Sequence, residues 1–421
     1  MINKMSKKIF ILIIFLISLN SYADEQFIFD VTEVQIKDNG NKFIGTKRGT
    51  VKSNDGIIID ADQFEYNKKI NILNATGNIK INDTINNFII YTDEIIYNKN
   101  KELINTIDNS RALSLNDNLT ISAKNFEYNK LTNTIMAEDK VVINDKINDY
   151  KIFTERITYK LEEEKIFTQG KTTSIISSKY NFESEDVLFL RNSMEIISNK
   201  NTIITDAENL YNLKKFRYLI SDEKLFGEKI LVSANYKSPK NDKLYFSNAV
   251  INLKTQNFVA KDTEIKLHKD LFDNSENDPR LKGVSSEKNE NIVIVNKGIF
   301  TSCKESDSCP PWSIQASEIK HDKNKRQINY KNALVKLYDI PVLYFPKFFH
   351  PDPSVKRQSG FLRPVLNNSN VLGSSFTIPY YRVLSDESDI TFAPIFFDNN
   401  SKMLQNEFRE VGEKYNFITN F

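Results

Sequence analysis

The residues that could break or make bonds are few in this chain. Its 421 residues include two cysteines, Cys303 and Cys309, and three histidines, His268, His321 and His350. A nucleophilic relay needs a histidine paired with a serine or cysteine, and a zinc site needs four ligands at characteristic spacings. None of the three histidines stands in such a spacing, and no HExxH-type or Ser/His/Asp signature occurs. The 55 acidic residues are scattered through turns beside lysines, where solvated surface charge is the expected role. The expectation is therefore no enzyme activity, no cofactor and no metal. A cysteine pair six residues apart in an exported protein reads most simply as a local disulfide between Cys303 and Cys309.

What the chain does repeat is apolar. Tyr66, Tyr97, Tyr128 and Tyr159 recur every 31 residues. Phe64, Ile95, Phe126 and Ile157 keep the same step, as do Leu73, Ile104, Ile135 and Ile166. So do the turn positions Gly77, Asp108, Asp139 and Gly170. A fixed period of this size marks one supersecondary unit that buries its apolar face only by stacking on its neighbours. Short alternating runs such as Phe64-Glu65-Tyr66 and Ile79-Lys80-Ile81, cut by Asn, Asp and Gly, read as strands. No helical stripe of useful length appears, so each repeat is expected to hold two or three short strands. The alternation slips between Ala61 and Phe64, which predicts a bulge or corner there. The repeat degrades past Gly170, although Ser184–Phe189 keeps its texture.

The chain opens with Lys4, Lys7 and Lys8, an apolar run from Ile9 to Leu19, and then Ser21-Tyr22-Ala23. That order is a secretory signal peptide over residues 1–23, with the mature chain beginning near Asp24 outside the cytoplasm. Net charge is only +2, from 57 basic and 55 acidic residues that are interspersed, so no nucleic-acid partner is expected. No further stretch is long and apolar enough for a spanning helix, while a membrane β-barrel stays open because its signal per strand is weak. The polar stretch from His268 to Asn291 reads as a loop or insertion.

Proline and aromatic punctuation then takes over: Pro341, Pro346, Pro351, Pro353 and Pro364. Four motifs follow in order here. They are Trp312-Ser313-Ile314 with Ala316-Ser317-Glu318-Ile319, Ile340–Pro346, Ser359-Gly360-Phe361-Leu362 with Pro364, and Ile378-Pro379-Tyr380-Tyr381. Together they resemble the outer-membrane LPS-assembly protein family, LptD, and the upstream repeats are similar to that family's periplasmic OstA-like domain. The resemblance implies an all-β chain: a periplasmic β-jellyroll or β-solenoid of ~31-residue repeats over residues 24–300. A junction would follow over 301–366, and the first strands of an outer-membrane β-barrel over 367–421.

It implies further that lipopolysaccharide is received from a periplasmic bridge of similar jellyrolls and leaves through a lateral opening in the barrel. The implied partners are a bridge jellyroll protein added by edge-strand pairing, a plug lipoprotein, and the outer membrane itself. The repeated apolar positions become candidates for the lining of a lipid groove. Pro379 and Pro394 match the prolines that loosen the seam in that family's first barrel strands, expected here at 373–383 and 389–397, with a third strand near 405–411. The family's most familiar members tie jellyroll to barrel with long-range disulfides, a pattern this cysteine pair does not offer.

Three strands cannot close a barrel, so the sequence is expected to be part of a longer product, with a truncated form as the other possibility. Two other classes compete with the transport reading. One is a soluble periplasmic bridging protein made of the same repeats, against which the motifs from Ser359 onward count. The other is an exported β-solenoid enzyme or adhesin, against which the scattered acids count.

Overall fold

The structure is a computed structural model that describes residues 26–117, 119–269, 277–306, 310–351, 355, 357–371 and 373–421. The expected signal peptide and Cys309 lie outside the described residues. Apart from two 3-10 turns, at Asp38–Gly40 and Lys99–Lys101, every element among those residues is a strand. The all-β expectation holds. The chain divides into two compact units: residues 1–239 with 248–254, and residues 240–247 with 255–421.

In the first unit each 31-residue repeat is a hairpin of two bent arms. Ile57–Ala61 and Gln63–Asn67 make one arm, and Ile72–Asp83 the other. The next repeat has Phe88–Asn98, then Leu103–Ile107 with Ser110–Ser114. Each second arm bends at the turn position read from the sequence: φ is +80° at Gly77, +56° at Asp108, +65° at Asp139 and +77° at Gly170. These residues do not close hairpins. They sit mid-arm, where the pairing register jumps between Thr76 and Ile79 and between Glu138 and Val141. A bulge of this kind bends a strand sharply. The corner predicted between Ala61 and Phe64 is also present, with the Asp62 N–H donating to the Gly77 carbonyl at 3.0 Å.

Because every arm bends at the same height, the unit has two sheet faces that share their strands. Residues 72–76 pair with Gln63–Asn67 on one face, and residues 80–83 pair with Ile57–Ala61 on the other. All pairings are antiparallel, the arrangement of a jellyroll-type meander rather than of a parallel-coil solenoid. The first face carries an unbroken cross-strand row. It runs Tyr66, Leu73, Tyr97, Ile104, Tyr128, Ile135, Tyr159 and Ile166, each opposite the next. Phe189 then takes the tyrosine's place opposite Ile166, just after a left-handed residue at Asp186 (φ +48°). The degraded repeat thus keeps the bend and the row. The second face answers with Ile59, Ile81, Ile90, Ala112, Ile121, Ile143 and Ile152.

In the second unit, strands Phe258–Lys266, Arg280–Asn289, Ile292–Thr301, Trp312–Asp322, Gln327–Leu337 and Ile340–Pro351 pair antiparallel in chain order. Their core gathers Ile265, Val295, Phe300, Ala316, Ile319 and Tyr330. Arg280–Asn289 corrects the loop expected over 268–291, because it is a strand laddered on both sides. Leu281 is its one bulky inward side chain, and its other inward positions are small. A Cβ at Gly283 would stand 2.2 Å from Val295 Cγ1, and Ser286 is buried in a 2.5 Å hydrogen bond with Thr263. Residues expected as a junction supply three more strands of the same ladder, up to Pro351.

A separate seven-stranded sheet follows in this unit, from Gly360–Phe361 to Asn416–Asn420. Of the three strands read from the sequence, the one expected over 373–383 is split into Gly373–Thr377 and Tyr380–Val383, the other two are Ser388–Phe397 and Lys402–Val411, and Gly360–Phe361, Val365–Ser369 and Asn416–Asn420 are added. No helix among the described residues is long and apolar enough to cross a membrane.

Candidate functional site

The twelve groove candidates come together in one place, the interior of the first unit between its two faces. Leu73, Ile95, Tyr97, Ile104, Ile135, Ile157 and Ile166 are fully buried, and Phe64, Tyr66, Phe126, Tyr128 and Tyr159 are no more than 6% exposed. In this state they pack on the opposite face and not on open space. Phe27 of the second face meets Tyr66 and Tyr97 edge-on at 5.0 and 5.4 Å, and Tyr150 meets Phe189 at 4.8 Å. Each buried aliphatic side chain contributes about 1.5–3 kcal/mol from lost water contact alone. The interior is continuous and apolar along the whole row.

One edge of this interior is closed by the chain itself, since the bent arms pass from face to face there. The opposite edge is bordered by two rows of turns, one from each face. Turns of the first face are linked in series: the Lys99, Lys130, Leu161 and Arg191 N–H groups donate to the Asn71, Glu102, Asn133 and Glu164 carbonyls at 2.9–3.0 Å. Among the described residues every link between the two rows involves a side chain, including Lys130 Nζ donating to the Asp55 backbone carbonyl at 2.6 Å. Asp55, on a second-face turn, receives Lys99 Nζ and Lys130 Nζ, each at 3.1 Å, while Tyr97 donates to the same carboxylate at 3.3 Å. Tyr128 donates to Asp83 across the gap, and the Asn86 side-chain amide donates to the Tyr128 hydroxyl at 2.9 Å.

Arg191 makes the densest of these contacts. From the first face it donates to Asp117 and, at 3.3 Å, to the Tyr150 hydroxyl, both on the second face. On its own face it holds Glu164 at 2.6 Å and Tyr159 at 2.8 Å, and Asp145 lies 3.9 Å away across the gap. Further along, Tyr180 of the second face donates to Glu223 of the first at 2.6 Å.

These contacts set the charge states. Burial pushes the Asp55 carboxyl up, but Ser53, Glu102, Lys130 and Lys99 outweigh it and hold the group well below the usual carboxylate range. Burial likewise opposes ionisation of Asp117, and Ser114 and Arg191 overcome it in the same direction. Burial pushes the Tyr159 phenol up to about 12 despite the neighbouring Arg191. Tyr97 is held protonated by burial and then by its hydrogen bond to Glu102. At neutral pH Asp55 and Asp117 are therefore carboxylates, and Tyr97 and Tyr159 are phenols.

Sequence reasoning found the apolar row and missed this polar one. The acids expected as solvated surface include Asp83 and Asp145, which are 2% and 1% exposed. Each caps the turn after it, with Asp83 accepting from the Ile85 and Asn86 N–H groups and Asp145 from those of Ile147 and Asn148. The signal was available: Ile-Asn-Asp, two residues on Ile-Asn, stands at 81–86 and again at 143–148, two repeats apart. A short Asx-type turn leaves its aspartate facing inward.

The two prolines fall beside each other in the second unit's seven-stranded sheet. The ladder on Ser388–Phe397 runs through Thr377 opposite Ile395 and resumes with Tyr380 opposite Phe392. Pro394 and Pro379 occupy the two rungs between, where neither can donate a backbone N–H. Pro379's carbonyl turns outward and accepts from Leu362 at 2.8 Å. Cys303 is half-buried, its Sγ 3.6 Å from the Trp312 carbonyl oxygen. Among the described residues no cluster of histidine, cysteine or acidic groups is arranged to hold a metal ion.

No protein-family model matches the chain. Individual curated proteins do. The LPS-assembly protein LptD of Nitrosomonas europaea is 32% identical over 127 residues, 30% of this chain and 17% of that protein. LptD of Hahella chejuensis is 30% identical over 174 residues, 40% of this chain and 20% of its own length. LptD of Yersinia pestis is 35% identical over 117 residues, 28% of this chain and 15% of that protein. The matched stretches thus span a fifth or less of each of these relatives.

Proposed function

Since the chain is related to the LptD family of LPS-assembly proteins over part of its length, we propose that it serves lipopolysaccharide assembly at the outer membrane. In this reading the interior of the first unit is the conduit for acyl chains. Phe64, Ile95, Phe126, Ile157 and the Tyr66–Ile166 row are its lining, and the chain acts by transport without bond chemistry. The observation that carries the reading is that uninterrupted apolar row, continuous over twelve cross-strand neighbours from Tyr66 to Leu225, in a relative of LPS-assembly proteins.

The partners follow from the same premise. Phe27–Val31 is laddered to Gly49–Ser53, and Val34–Lys37 to Lys42–Gly45; among the described residues each pairs along one edge. A strand with one open edge accepts another chain by β-augmentation, which suits a periplasmic bridge jellyroll. The seven-stranded sheet begins the outer-membrane part that a plug lipoprotein would fill, and its proline rungs form the weak seam of a lateral gate. That sheet also favours this reading over a soluble bridging protein, which has no use for it.

The test is saturable binding of fluorescent lipopolysaccharide to the purified full chain, with competitors. Competition by intact lipopolysaccharide and by its acylated lipid moiety, and none by the deacylated sugar, is expected. Equal competition by the deacylated sugar would overturn an acyl-chain conduit.

A further inference from the structure

We infer that the polar contacts between the two turn rows of the first unit are a lock, which holds an otherwise openable interior shut until cargo displaces it. This rests on the conduit reading for what the cargo is, but not for the lock itself.

The two long edges of the interior are built asymmetrically. At the bent edge the faces are joined covalently through every arm, and left-handed residues such as Gly77 and Gly170 fix the bend. Separation there would tear strands. At the turn edge no backbone-to-backbone hydrogen bond among the described residues joins the rows, and the bridging groups are charged or phenolic side chains with the Asn86 amide, one of them, Lys130, also reaching the Asp55 carbonyl. A purely structural seal would be better made of apolar groups, because desolvating ion pairs recovers little stability. Charged groups at a rim do have one advantage. When the rim opens they are rehydrated, or they exchange a carboxylate for another anion, so opening does not leave orphaned polar atoms. The Lys99 and Lys130 side chains, 10% and 9% exposed, meet at Asp55, and Lys99 Nζ lies 3.3 Å from the Tyr97 hydroxyl at the end of the apolar row. An amphiphile with acyl chains inside and anionic groups outside would meet those cations first. The bent edge is then the hinge and the Asp55, Asp83, Arg191 and Tyr180 contacts are the latch.

The test uses the full chain with Cys303→Ser and Cys309→Ser, carrying a photo-crosslinking residue at Ile104, which is fully buried between Tyr97 and Tyr128. A loosened form adds Asp55→Asn. A locked form adds Asp55→Cys and Lys130→Cys, joined by a bifunctional thiol reagent. Each is exposed to lipopolysaccharide and, separately, to the neutral dye Nile red. The expected result is at least threefold more adduct and dye uptake in the loosened form than in the parent, and loss of both in the locked form. Equal uptake of dye by all three forms would overturn the lock. Dye uptake that follows the lock, with no lipopolysaccharide adduct in any form, would support the lock and overturn the conduit reading.

Discussion

The side chains of the first unit do two different jobs, and substitution should separate them. Ile104 has no polar partner and is fully buried, so Ile104→Ala should remove transfer energy and leave a cavity, costing about 2–5 kcal/mol in chemical denaturation. Arg191→Met acts differently, because it removes the cation shared by Asp117 and Glu164 and leaves the buried Asp145 carboxylate with its turn donors alone. A cost of about 3–5 kcal/mol is expected from breaking a buried pair on one side only. The carboxylates also set an acid limb. Asp55 and Asp117 are held below their unfolded value of 3.8, so their contribution is complete above that value and drains as the pH falls beneath it. Thermal melts should show the midpoint falling below about pH 4, less steeply in Asp55→Asn. An unchanged acid limb in that variant would remove Asp55 from the balance.

At the scale of the strand, the bend decides which features the sequence could reveal. The 31-residue period, the all-β texture and the corner near Asp62 were legible because backbone geometry demands particular residues. Only glycine, asparagine or aspartate sits easily at positive φ, and all four periodic turn positions are glycine or aspartate. What period could not say was that these turns lie within arms and not at their ends. Arg280–Asn289 was illegible for the opposite reason: beyond Leu281 its inward sites are filled by glycine and serine, so the strand carries little apolar alternation. The Asp83 and Asp145 caps were masked because their burial comes from a facing turn some 40 residues away in sequence, as the Tyr128 contact to Asp83 illustrates. Two glycines test the bend directly. A Cβ on Gly77 would stand 2.7 Å from Asp62 Oδ2, whereas nothing lies within 4 Å of one on Gly170. Gly170→Ala should cost about 1–2 kcal/mol for left-handed backbone alone, and Gly77→Ala more. The reverse order in urea midpoints would mean the corners are not equally constrained. In the second unit, Pro379→Ala with Pro394→Ala restores two backbone donors to one ladder. The expected result is slower amide exchange at Ile378–Ile395 and slower lipopolysaccharide export in cells, and unchanged export with an intact protein would remove the seam from the mechanism.

For the whole molecule, the central claim is that lipid passes through the interior and not along the outer surface. The two are distinguished by position alone. Ile135 faces inward and is fully buried, while Ile147 lies on a turn and is 64% exposed. A photo-crosslinking residue placed at either site in cells, followed by illumination and detection of lipopolysaccharide on the chain, reads the route without any assumption about affinity. The account predicts a light-dependent lipopolysaccharide adduct at position 135 and little at position 147. Adducts at position 147 equal to or above those at position 135, in chains that are equally abundant and folded, would contradict it.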